Sequence, residues 1–213
     1  MTISPATKKR VAALAVALLI LCVDQLLKIW VKTHLCPGES IRLADWAYIA
    51  FVENKGMAFG MQFIGTLMLC IFRILAIGLL MWALWRITKA KKSKWGFVIL
   101  LAMVLAGAIG NIIDNVLYGL IFSNSNGFSP ATIVPIGEGY GNLMEGHVVD
   151  MFYFPIIDTN WPQWLPIIGG KHFIFFSPIF NFADAAISVG GVLLISCYYK
   201  TLNRFLSPKK QEV

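Results

Sequence analysis

The sequence predicts an all-α membrane protein with four transmembrane helices, both termini cytoplasmic, and two segments on the outer side. Apolar residues make up 58% of the chain and mean hydropathy is +0.71, well beyond the roughly half-apolar composition of a soluble domain. Four apolar runs, at residues 11–31, 64–85, 96–121 and 178–199, each approach the ~20 residues needed to cross ~30 Å of hydrocarbon. Of 18 Lys and Arg, most fall in residues 8–10, 86–94 and 200–210. These clusters flank the runs at alternate ends, the positive-inside pattern.

That placement also accounts for the net charge of +7. A groove for single-stranded nucleic acid interleaves aromatic with basic residues, which is not seen here, so no nucleic-acid partner is expected. Cys22, Cys36, Cys70 and Cys197 show no CxxC or metal-like spacing and read as small buried hydrophobes. Lys8-Lys9-Arg10 and the apolar run ending at Leu21-Cys22 have the outline of a lipid-modified signal peptide. Cleavage there requires a small residue where Leu21 stands, so the run reads as a retained anchor. Residues 1–213 are expected to form one membrane-embedded domain.

The first helix carries Asp24-Gln25-Leu26-Leu27-Lys28 in its outer half. Asp24 and Lys28 are spaced to pair along the helix surface. Lys28 is also long enough to snorkel by itself, whereas a short Asp is not, which favours an inward-facing Asp24. The outer segment 32–63 reads as short strands and turns: Tyr48-Ile49-Ala50-Phe51-Val52 is aromatic and β-branched, and Asn54-Lys55-Gly56 is a turn signal. Either a tight turn or a backbone platform for an extended peptide explains Asn54 and Gly56. The second helix reads as scaffold. The third carries Gly107 and Gly110, which allow close helix approach, and then Asn111 and Asp114.

Segment 122–177 is turn-rich, with Asn160-Trp161-Pro162-Gln163-Trp164 and Phe173-Ile174-Phe175-Phe176 reading as an aromatic belt at the membrane surface. The last run opens on Phe180-Asn181-Phe182-Ala183-Asp184, an Asn and an Asp on one helical face that repeat the Asn111/Asp114 spacing. At ~1.5 Å per residue, Asp24, Asn111 and Asp184 all fall in the outer third of the membrane. An ionisable group inside a span is costly and usually functional. Asp150, in His147-Val148-Val149-Asp150, lies outside the runs.

Asp150 and Asp184 are therefore the expected catalytic pair. Two carboxylates a few ångströms apart share one proton; the ionised one takes a proton from water while the neutral one donates to a scissile carbonyl. The chain has no Gly-x-Ser-x-Gly elbow, HExxH helix or Walker loop. No metal or organic cofactor is expected, and His147 reads as a hydrogen-bonded residue rather than a ligand. A cation path along Asp24, Asp114 and Asp184 is the competing use of these acids, but it has no need of Asp150.

Five boxes carry a family resemblance: Asp24-Gln25-x-x-Lys28, Asn54-x-Gly56-x-Ala58-Phe59-Gly60, Gly110-Asn111-x-x-Asp114, Val148-Val149-Asp150 and Phe180-Asn181-x-Ala183-Asp184. In this order they resemble signal peptidase II, the lipoprotein signal peptidase family of bacterial inner-membrane aspartic peptidases. The resemblance implies Asp150 and Asp184 as the dyad, with Asp24, Lys28, Asn54, Gly56, Asn111, Asp114 and Asn181 binding substrate or orienting the dyad. It also implies a diacylglyceryl-modified prolipoprotein substrate, cut on the amino side of the lipidated Cys near the extracytoplasmic face. Membrane lipid and cyclic peptide inhibitors such as globomycin are the other implied partners, and a monomer is expected. Two features depart from the family pattern. Asn115 stands where an Arg is usual, with Arg42, Lys55 or Lys171 as candidate replacements, and the outer stretch from Asp114 to Asp184 is long. Residues 123–140 are expected to form a surface lid or partner site.

Overall fold

The computed structural model describes residues 4–54, 66–90 and 93–206. Four of its helices are long and apolar enough to cross a membrane: Pro5–His34, Leu67–Lys89, Trp95–Ile121 and Phe182–Arg204. Helix α1 spans Pro5–His34, α2 Thr66–Lys89 and α3 Trp95–Ile113. The third span then widens into a π-helical turn, Asp114–Tyr118, before the short α4, Gly119–Ile121. Helix α5 is Phe182–Leu206.

Four helices able to span and a small β-rich part match the expectation, but the strands are not confined to the first outer segment. Strands β1 (Ser40–Ala44), β2 (Ala47–Asn54), β3 (Val148–Tyr153) and β6 (Ile179–Phe180) form one antiparallel sheet in the order β1-β2-β3-β6, and β4 (Ile157–Asn160) pairs with β5 (His172–Phe175) in a hairpin. The first outer segment is β-rich as expected, but so is the second. The last helix also begins four residues later than the apolar run, because Ile179–Phe180 is used as a strand against Phe152 and Tyr153. Asn181 accordingly precedes α5 and does not share a helical face with Asp184.

The chain divides into two compact units. One comprises Met1–Gln25, Leu67–Ile113 and Phe182–Val213; the other comprises Leu26–Thr66 and Asp114–Asn181. The first is helical. Its core packs Phe97, Val98, Leu101 and Ala102 of α3 against Ala13, Ala83 and Leu194. Helices α3 and α5 approach closely: a Cβ at Gly107 would lie 2.3 Å from the Ala183 carbonyl oxygen, and one at Gly190 2.9 Å from Val104. Small residues at such crossings replace the hydrophobic drive that lipid does not supply. In the second unit the sheet buries Phe51, Val149 and Met151.

Candidate active site

Within the helical unit, Asp24, Asn111 and Asp184 come together around the start of α5. The first turn of any helix has N–H groups with no partner in the helix. Here Asp24 Oδ1 accepts the Ala183 N–H at 2.9 Å, placing a carboxylate at the positive end of the α5 dipole. Gln25 donates to Asp24 Oδ2 and to the Gly110 carbonyl. A Cβ at Gly110 would sit 2.7 Å from Asp24 Oδ2, so this glycine makes room for the carboxylate. From the same helix, Asn111 Nδ2 donates to Asp184 Oδ1 at 2.7 Å.

The second unit holds Lys28, Asp114, Asp150 and Asn181. Lys28 Nζ pairs with Asp114 Oδ2 at 2.8 Å, both side chains being fully buried. Asp114 also accepts the Val149 N–H at 3.4 Å, which fixes β3 one residue before Asp150. Asn181 Nδ2 donates to Asp150 Oδ1 at 2.8 Å. Asp150 is 6% exposed and Asn181 fully buried. Each Asp of the expected pair is thus held at Oδ1 by an Asn amide. The π turn starts at Asp114, and such turns recur at functional sites. Asn54 ends β2, in register with Val148, while Gly56 and Lys55 lie outside the described residues.

The family model for signal peptidase (SPase) II matches residues 16–200. The chain belongs to the signal peptidase II family. A lipoprotein signal peptidase of Porphyromonas gingivalis is 48% identical over 95% of this chain and 88% of its own length. One of Amoebophilus asiaticus is 32% identical over 89% of this chain and 78% of its own. A solved bacterial membrane enzyme is similar in fold, with a TM-score of 0.56 at 21% identity over 94% of this chain and 93% of that one.

Within this signal peptidase II chain, Asn115 has an identifiable role. Its amide donates to the Gly146 carbonyl at 2.7 Å, and the Gly146 N–H returns a bond to the Asn115 carbonyl at 2.9 Å. A Cβ at Gly146 would lie 2.0 Å from the Asp114 carbonyl oxygen, so only glycine fits there. Asn115 therefore anchors the backbone leading into β3. Of the candidate replacement cations, Arg42 pairs with Asp45 at the surface and Lys171 is exposed.

A second fully buried cation among the described residues escaped the sequence reading. Lys32 is fully buried, pairs with Glu53, and lies 4.9 to 5.9 Å from the rings of Phe51, Phe122 and Tyr140. Glu53 also accepts from Ser125 at 2.8 Å and contacts His147 Nδ1 at 3.0 Å. The Tyr140 hydroxyl oxygen accepts the His147 N–H at 2.7 Å, and burial raises the pKa of that hydroxyl. Residues 123–140, expected as a lid or partner site, are thus tied to the ends of α1 and β2. The available signal was Lys32 itself, one helical turn beyond Lys28, in a helix that runs three residues past the end of its apolar run. Among the described residues, no group of three or more His, Cys, Asp or Glu is placed to hold a metal ion.

Burial alone would raise the pKa of Glu53, but His147, Lys32 and Ser125 outweigh it and bring the carboxyl from 4.5 to about 2. A depressed carboxyl contributes stability that is present above its unfolded value and lost as pH falls through its folded one. Acid unfolding of the wild type between about pH 4.5 and 2 is therefore expected to include a Glu53 contribution on the order of 2 kcal/mol, after allowance for partial exposure. Glu53→Gln should be less stable at pH 7 and show a shallower loss in that window. Equal acid slopes in thermal melts of both proteins would count against this assignment.

Proposed function

We propose that this chain is an aspartic endopeptidase that removes signal peptides from diacylglyceryl-modified prolipoproteins, cutting on the amino side of the lipidated Cys. The observation that carries the reading is the matched support of two acids, Asn181 to Asp150 and Asn111 to Asp184, at 2.8 and 2.7 Å. Family membership supports the peptidase class.

In this reading Asp150 and Asp184 flank a water molecule and the scissile carbonyl. The ionised carboxylate accepts a proton from water as its oxygen attacks the carbonyl carbon, and the protonated one donates to the developing oxyanion. Collapse of the tetrahedral intermediate breaks the C–N bond: a hydroxyl proton returns to the acid that supplied it, and the proton taken from water passes to the departing amine. Fixing Oδ1 of each acid orients the carboxylate planes before substrate arrives, so little reorganisation is left for the reaction. Asp24 and the Lys28–Asp114 pair act behind this, by holding the start of α5 and strand β3. Asn54 and Gly56 bind the substrate backbone. The protein resides in the bacterial inner membrane as a monomer, with the site near the extracytoplasmic face. A diacylglyceryl anchor then keeps the scissile bond at the depth of the acids, and globomycin-like cyclic peptides compete for the same place.

The test is cleavage of a synthetic lipobox peptide by the purified full-length protein in detergent, with and without diacylglyceryl on its Cys. Cutting of the lipidated peptide alone, before the Cys, is expected. Equal cutting of both would remove the lipid from the reading, and cutting elsewhere would remove the site assignment.

A further inference from the structure

The helical unit contains a groove of about 330 Å³ that the peptidase reaction does not use, bounded by α1, α2 and α3. Ala13 and Leu105 form its buried part, while Leu14, Leu18, Met81 and Trp85 along it each leave more than half of their surface uncovered. All three helices are among those long and apolar enough to cross a membrane. Around such helices the solvent is acyl chain, and an apolar groove without a chain in it would forfeit the dispersion contacts of its lining.

The groove is not apolar to its end. Arg10 and Thr88 also line it, at the basic end of the helices, with Arg10 Nε donating to Thr88 Oγ1 at 3.1 Å. Thr88 is buried and Arg10 exposed. The hydrogen bond anchors the guanidinium through one nitrogen. Lys89, next to Thr88 in the chain, has its Nζ 3.6 Å from the ring centroid of Trp85, a lining residue. Trp, Arg and Lys together at the end of an apolar channel have the chemistry of a phospholipid headgroup site.

We propose that this groove is a binding site for one anionic phospholipid, an acyl chain lying along Leu14, Leu18 and Met81 and the phosphate meeting Arg10 and Lys89. Apolar length alone would accept any lipid, so the two cations determine the preference. A basic group near an anionic headgroup is worth about fivefold in affinity.

The test is native mass spectrometry of the full-length protein in detergent, titrated with phosphatidylglycerol or phosphatidylcholine. One phosphatidylglycerol per chain is expected to bind roughly 25-fold more tightly than phosphatidylcholine, about fivefold for each of the two cations. Arg10→Gln should reduce that preference about fivefold, and Arg10→Gln with Lys89→Gln should abolish it. Ala17→Phe, which fills the groove, should displace the lipid. Phosphatidylglycerol affinity left unchanged in Ala17→Phe would show an anion site without an acyl channel and overturn the proposal. Equal binding of the two lipids by the wild type, or an unchanged preference in Arg10→Gln, would overturn it as well. Both charge variants lie at the exposed basic end, so their folding is separable from the groove-filling change.

Discussion

Asp150→Asn and Asp184→Asn are each expected to lower the rate of signal-peptide release by on the order of 10⁴-fold or more, with thermal stability close to that of the wild type. Asn preserves the shape of the side chain and its capacity to accept from Asn181 or Asn111, but it can neither take a proton from water nor supply one to the oxyanion. Groups that act as a unit are grossly non-additive. The double variant should therefore be no slower than either single one. A residual rate above about 1% in either variant, at unchanged stability, would remove that residue from the dyad. Asn111→Ala and Asn181→Ala leave both carboxylates in place and remove only their orientation. Their loss is expected to be smaller and to fall on kcat more than on KM, because the interaction they support matters most in the transition state.

The other large effect is on stability. Lys28 and Asp114 form a fully buried pair, and removing one partner leaves an uncompensated charge that costs about 3–5 kcal/mol. Lys28→Met and Asp114→Leu should each lower the melting temperature sharply in detergent. Combined, they should recover most of that loss, since an apolar pair of similar volume replaces a buried ion pair at little cost. Recovery should remain incomplete, because the Val149 N–H then loses its acceptor, worth about 1–3 kcal/mol. Strictly additive losses in the double variant would mean the two side chains act separately. The double variant should remain slow even when folded, since Val149 no longer holds β3 beside Asp150.

The spans were legible because ~20 apolar residues between basic clusters have few other uses in a protein. Asp24, Asn111 and Asp184 stood out because polar groups at membrane depth need a reason, whereas Asp150, outside the apolar runs, stood out only as a second carboxylate that could meet Asp184. The strands were harder to find. Val148–Tyr153 interrupts its own apolar pattern with Asp150, and Ile179–Phe180 is a two-residue strand whose composition equally suits the start of a helix. Its role depends on pairing with Phe152 and Tyr153, which local sequence does not specify. The π turn at Asp114–Tyr118 leaves no mark on hydropathy, so Asn111 and Asp114 read as one face of a regular helix. Lys32 and Glu53 were hidden for a related reason. Each looks like a surface charge until Ser125, Tyr140 and His147, some seventy to over a hundred residues further along the chain, are brought to them.

The Asp24 to Ala183 bond joins groups 159 residues apart in the sequence, and this has a consequence for biogenesis. Translation at ~5–20 residues per second takes roughly 10–30 s to pass from one to the other. During that interval α1 is already made, and the backbone that its carboxylate will cap does not yet exist. A nascent chain stalled before Ala183 therefore carries a membrane acid without one of its finished partners. Such a chain is chemically distinguishable from the completed protein, in which that carboxylate caps the last helix.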